Sequence, residues 1–132
     1  MVAGDFGKFH EGHKDHISKA SKLADFIIIV THTDESIRTR KHYTPDPLEK
    51  RIDALLGFLN EIKKCGCVVM SVDSDGTVAK TLEHYQPDIF AKGGDRTPDN
   101  MPQSELDICE NLGIRIVYGM GDKLNESRKL CT

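Results

Sequence analysis

Phe26-Ile27-Ile28-Ile29-Val30 is an apolar run without a polar interruption, and four of its five side chains are β-branched. A strand with one face in water alternates polar with apolar, so a continuous block of this kind predicts a strand covered on both faces. Val68-Val69-Met70-Ser71-Val72 and Ile114-Arg115-Ile116-Val117-Tyr118 read as further strands, and Pro87-Asp88-Ile89-Phe90-Ala91 as a shorter one. Met1 to Phe6 is the expected first strand. Helical spacing fills the gaps: Ile17, Ala20 and Leu23, then Ile52, Leu55, Leu56, Leu59 and Ile62, then Val78, Leu82 and Tyr85, then Leu106, Cys109 and Leu112. Asp46 is the expected N-cap of the second helix, with Pro47 its first residue and Glu49 the reciprocal capping partner. Gly113 is placed to end the last helix. Alternating strands and helices predict a Rossmann-like three-layer α/β/α fold with a five-stranded parallel sheet in the order 3-2-1-4-5.

The 132 residues are expected to form one domain, with neither linker nor internal repeat. A formal net charge of −3 argues against a general nucleic-acid binder. No apolar run approaches the roughly 20 residues that span a bilayer, and no signal peptide opens the chain, so a cytoplasmic location away from membranes is expected. The four cysteines, Cys65, Cys67, Cys109 and Cys131, lack Cys-x-x-Cys spacing and read as thiols rather than zinc ligands.

In an open parallel sheet, ligands sit beyond the carboxyl ends of the strands where the order reverses. The loop after the first strand carries His10-Glu11-Gly12-His13 at the mouth of a helix. Imidazole N–H groups donate to phosphoryl oxygens, the first helical turn adds unpaired backbone N–H groups, and Gly12 leaves room for a ligand. The loop after the fourth strand carries Lys92-Gly93-Gly94-Asp95-Arg96. In the order 3-2-1-4-5 both loops face one crevice. His13 stands where a P-loop has its lysine, and no G-x-G-x-x-G follows the first strand, so phosphate is handled by another route. His16 extends the histidine spacing and reads as a surface imidazole rather than a ligand. Arg38, Arg40, Lys41 and His42 could form a solvated loop, and Asp95 could cap its own turn instead of meeting a ligand.

Gly4-Asp5-Phe6, His10-x-Gly12-His13, the strand ending at Val30 with Asp34-Glu35 after it, and Lys92-Gly93-Gly94-Asp95-Arg96 follow one another as in a known family. The chain resembles the cytidylyltransferase-like nucleotidyltransferases, and within them the glycerol-3-phosphate cytidylyltransferases and the adenylyltransferases acting on heptose phosphate. Arg40-Lys41-His42-Tyr43 and Glu49-Lys50-Arg51 resemble the family's basic loop and following helix start. The resemblance implies transfer of a cytidylyl or adenylyl group from CTP or ATP, with CTP the first choice, to a small phosphorylated alcohol or sugar with release of pyrophosphate. It makes His10 and His13 the donors to the reacting phosphoryl group and Lys41 a point charge beside it. Gly4, Asp5, Phe6, Gly12, Gly93, Asp95, Lys123 and Ser127 are the implied nucleotide-binding residues, with Arg51 and Arg96 for substrate phosphate. Mg²⁺ is expected from the reaction class and a homodimer from the family.

Two departures accompany the resemblance. Gly7 follows Phe6 where relatives often have an aspartate. Lys123 to Leu130 keeps only Ser127 of the small hydroxyl residues that relatives place at the start of a final helix, although Lys123 and Arg128 could still meet phosphate. These departures support the alternative of a nucleotide-binding regulatory or partner-binding module that has lost turnover.

Overall fold

The computed structural model describes residues 1–120 apart from 74, 94 and 95. The described elements are β1 (Val2–Ala3), α1 (Glu11–Ser21), β2 (Ile27–Thr31), α2 (Asp34–Lys41), α3 (Leu48–Glu61), β3 (Gly66–Met70), α4 (Ala79–Tyr85), β4 (Ile89–Ala91) and, after a 3-10 turn at Pro98–Asn100, α5 (Gln103–Leu112) and β5 (Arg115–Val117). All strand pairs are parallel: Val2 lies opposite Ile29, Ile29 opposite Val68, and Ile89 opposite Arg115.

The pleat of β2 sorts the core into two layers. Ile27 and Ile29 pack with Val2, with Ile17 and Ala20 of α1, and with Leu55, Phe58 and Leu59 of α3. Val30 faces the other way, with Val78, Leu82 of α4, Phe90, Cys109 of α5 and Ile114, while Ile28 packs against that cluster. Side chains one apart in a strand point to opposite faces, so one apolar run supplies both layers. The three-layer α/β/α reading rests on this arrangement.

The strands pair as two sheets, β1-β2-β3 and β4-β5, rather than as the one continuous five-stranded ladder expected. The reason is length: β1 has two residues, too few to build a ladder on both edges. Backbone bonds nevertheless bring the sheets together at Met1, whose nitrogen donates to the Ile89 carbonyl at 2.6 Å and whose carbonyl accepts from Ala91 N–H at 2.9 Å. β3 begins two residues earlier than the apolar run and is half-buried, since among the described residues it pairs with β2 alone, and Val72 lies 55% exposed beyond it.

Two helix features also differ from expectation. Pro47, not Asp46, is the N-cap of α3, and it supplies no side-chain cap. The Asp46 carboxylate instead pairs with Lys8 at 3.0 Å, which also holds its carboxyl below the usual range. The basic stretch around Arg38 to Lys41 is helix α2, capped by Thr33 and left-handed at His42. Gly113 ends α5 with φ of 69°, as expected of a C-cap glycine.

Candidate functional site

His10 is the N-cap of α1, with extended backbone. Its Nδ1 accepts the Gly12 N–H at 3.1 Å, and Nδ1 of His13 accepts the His10 N–H in return at 3.3 Å. This reciprocal arrangement is a capping box made of two imidazoles. Its chemical consequence is a fixed tautomer. With both Nδ1 atoms accepting, the ring protons of the neutral histidines reside on Nε2. Each ring therefore has an N–H to donate away from the helix.

The rings stack with centroids 3.7 Å apart. Phe6 meets His13 edge-on at 5.0 Å and Phe9 stacks on it at 5.9 Å. Burial, followed by the neighbouring His10 and His16, lowers the His13 pKa to about 4. His13 is thus a neutral donor throughout the physiological range. A Cβ on Gly12 would lie 3.0 Å from Cε1 of His10, so the glycine keeps that ring in place, and a Cβ on Gly7 would collide with the Tyr43 hydroxyl.

Asp5 connects the histidine loop to the basic helix. Its carboxylate receives Arg40 at 2.7 Å and faces Lys41 at 3.8 Å, and its backbone carbonyl accepts from Thr31 Oγ1 at 2.9 Å. Two clefts meet at Asp5 and Lys41. One, of about 360 Å³, is lined by Phe6, Gly7, Lys8, His10, His13 and Tyr43 as well. The other, of about 240 Å³, is lined by Gly4, His32, Arg40, Lys92, Arg96 and Glu105 among others. Lys41, at the end of α2 and 54% exposed, lines both.

Arg51 does not take the role expected of it. Its side chain is 1% exposed and its donors go inward: Nε to the Asp46 carbonyl at 2.9 Å, Nη1 to Thr31 Oγ1 at 2.6 Å and to the His32 carbonyl at 2.8 Å, and Nη2 to Asp34. A guanidinium used this way braces α3 against the ends of β1 and β2 and has no fork left for a substrate anion. Arg96 is exposed, donates to the Asn100 carbonyl at 2.7 Å and lines the smaller cleft. Gly93 is half-buried beside it and accepts the Arg96 N–H. Asp95, Lys123 and Ser127 lie outside the described residues. His16 is half-buried and bonds the Met120 carbonyl. Cys65, Cys67 and Cys109 are free thiols, and burial with the nearby Glu105 pushes the Cys109 thiol up to about 11.

Two residues of the smaller cleft carry no motif that sequence reading could have found. His32, 4% exposed, follows β2, and burial lowers its pKa. Glu105, 3% exposed, lies in the first turn of α5 and accepts the Val78 N–H through Oε2 at 3.0 Å, with Lys92 at 3.9 Å from Oε1.

Residues 1–120 match a family model described as cytidylyltransferase-like. The chain is similar to the bifunctional protein HldE of Citrobacter koseri, 32% identical over 124 residues that make up 92% of this chain and 24% of that protein. It is also similar to the HldE proteins of Vibrio vulnificus, at 31% over 120 residues, and of an Enterobacter species, at 33% over 124 residues. The chain spans about a quarter of the length of these relatives. Its fold is similar to the crystal structure of a lipopolysaccharide core biosynthesis protein from Thermoplasma volcanium, with a TM-score of 0.69 and 24% identity, covering 95% of this chain and 96% of that one.

Proposed function

We propose, because the chain belongs to the cytidylyltransferase-like family, that it transfers a nucleotidyl group from a nucleoside triphosphate to a small phosphorylated polyol or sugar and releases pyrophosphate. The observation that carries this reading is the histidine capping box. Two Nε2–H donors, fixed in tautomer by the backbone, stand over the first turn of α1 beside a cationic cleft.

An oxygen of the acceptor's phosphate attacks the α-phosphorus, a new P–O bond forms, and the bond to the bridging oxygen breaks with its electron pair leaving on pyrophosphate. The attacking oxygen is already anionic near neutral pH, so no general base is needed. What the reaction requires is in-line positioning and stabilisation of the charge on the phosphoryl oxygens. Neutral His10 and His13 donate to those oxygens without needing to be protonated. Lys41, shared by both clefts, supplies the positive charge where donor and acceptor meet. Asp5 positions Lys41 and Arg40 rather than touching phosphate itself, and Arg51 holds the strand ends that carry Asp5.

Magnesium is expected to arrive chelated by the triphosphate, as part of the substrate. Asp5, the carboxylate that lines the histidine cleft, is engaged by Arg40 and Lys41, and no group of three His, Cys, Asp or Glu side chains able to hold a metal occurs among the described residues. A single domain, a homodimer and a cytoplasmic location complete the proposal. Among the described residues no helix is long and apolar enough to cross a membrane.

Phosphorus NMR tests the reading directly. The chain is incubated with CTP or ATP, magnesium, and a panel of glycerol, pentitol, hexose and heptose phosphates. The expected result is the paired resonances of a diphosphate diester for at least one donor and acceptor pair. Nucleotide binding with no diester for any pair would replace the enzyme by the binding-module reading.

A further inference from the structure

The smaller cleft has a floor that the transfer chemistry does not use. His32 and Glu105 are both more than nine-tenths buried and both line this cleft, and each has a side-chain atom with no hydrogen bond among the described residues: Nδ1 in His32, and Oε1 in Glu105, which Lys92 approaches only to 3.9 Å. Buried polar atoms are nearly always bonded, and an orphaned one is costly unless something else meets it. Two orphans in one cleft, approached from β2 and from α5, mark a place that a ligand completes.

The charge around them narrows the ligand. Among the described residues the cleft is lined by four basic side chains, Arg40, Lys41, Lys92 and Arg96, against two acidic ones, Asp5 and Glu105. An anionic group is favoured at that rim and a cationic amine is disfavoured. The floor needs a neutral partner that donates to a carboxylate oxygen and either donates to or accepts from an imidazole nitrogen. A hydroxyl does both, whichever tautomer His32 adopts. The volume of about 240 Å³ suits a ligand of a few carbons.

We infer that His32 and Glu105 read the hydroxyl groups of the acceptor, so that the acceptor is a polyhydroxylated phosphate whose anion lies toward Lys41 and whose hydroxyls reach the cleft floor. This rests on the nucleotidyl-transfer reading for the name "acceptor", but it concerns binding at a separate cleft. It makes His32 and Glu105 specificity-determining residues. A site with buried hydrogen-bonding groups rejects an analogue lacking the hydroxyl, because the site's own groups are then left unpaired.

The test measures binding and turnover separately on the full chain. Calorimetry compares glycerol 3-phosphate, a hexose 1-phosphate and a heptose 1-phosphate with propyl phosphate and inorganic phosphate. The expected result for the wild type is a preference of at least about tenfold for one or more hydroxylated phosphates over propyl phosphate. His32→Leu and Glu105→Met, each first checked for cooperative unfolding, should reduce that preference to about threefold or less while the affinity for CTP or ATP stays unchanged. His32→Asn, which restores a polar atom near the Nδ1 position, should recover part of it. Equal binding of propyl and hydroxylated phosphates by the wild type overturns the inference. So does a preference retained in both His32→Leu and Glu105→Met, and so does failure of every phosphate in the panel to bind. Pyrophosphate release is followed in parallel. A hydroxyl preference without any release contradicts the transfer reading alone, and release without a preference contradicts the inference alone.

Discussion

His10 and His13 act as a pair because each is the other's structural support. The His10 cap depends on Gly12 N–H, and the His13 ring bonds the His10 backbone. Replacing either by alanine removes one donor from the reacting phosphoryl group and is expected to lower kcat by about 10²–10³, measured by steady-state pyrophosphate release. Gly12→Ala separates position from presence. Alanine is the better helix former, so stability should hold or rise. Its Cβ would nevertheless displace the His10 ring, and kcat should drop by about tenfold. The pH dependence has a definite sign. His13 is lowered from 6.5 to about 4 in the folded chain, so between those values the unfolded chain binds more protons. Its contribution to stability is complete above about pH 6.5 and is lost as pH falls towards 4. Urea unfolding at pH 7 and pH 5 should show a smaller loss for His13→Gln, which keeps the reciprocal cap but cannot titrate. His32 is lowered in the same direction and remains in both proteins, so the difference isolates His13. At this scale the sequence pointed to the histidines, whose rings the fold stacks together, but not to the burial of Arg51. Charge suggested a phosphate ligand, yet Arg51 stands four residues before Leu55 on the buried stripe of α3, and that spacing was the available signal. Glu105 repeats the pattern four residues before Cys109.

Among the elements, those whose burial writes a period into the sequence were legible. α3 and α5 follow their apolar spacing, and β2 follows its unbroken run. α2 was not, because only Ile37 of its eight residues is buried and the rest are charged or polar. The local signs of a helix were its Thr33 cap, with Ser36 N–H donating to the hydroxyl at 3.0 Å, and the order of Asp34 and Glu35 in the first turn before Arg38, Arg40 and Lys41 in the last. The start of α3 was misread because Asp46 is the type of residue that caps a helix, whereas here Lys8 and Lys50 draw its carboxylate aside. Arg51 ties these elements together through β2, the loop after β1 and Asp34 of α2. Arg51→Met should therefore lower unfolding free energy by about 3–5 kcal/mol, read from denaturant midpoints, since Asp34 and the Asp46 and His32 carbonyls lose the Arg51 donor together, and the Asp5 carbonyl keeps Thr31 Oγ1. Gly113→Ala should cost about 1 kcal/mol by the same measurement, because only glycine adopts the left-handed C-cap of α5 without strain.

On the scale of the whole molecule, two sheets meeting at Met1 bring the loop after β1 beside the residues that follow β4. Asp5 and Lys41 then border both the histidine cleft and the cleft containing Lys92 and Arg96. The layered fold was readable from alternation of strand and helix, since each apolar face needs a neighbour to cover it. The break between the sheets was not, because strand length at β1 is decided by two backbone residues rather than by hydrophobic pattern. Nor was the cleft floor, because His32 and Glu105 come from distant segments and become partners only in space. The central claim is that the histidine pair at the mouth of α1 is the centre of nucleotidyl transfer. The most direct measurement is acceptor-dependent pyrophosphate release from CTP and from ATP by wild type, His10→Ala and His13→Ala under saturating donor. Release by the wild type with one donor and a hydroxylated phosphate, reduced at least about a hundredfold in both variants while nucleotide affinity changes little, is the predicted result. Equal release by all three proteins would contradict it.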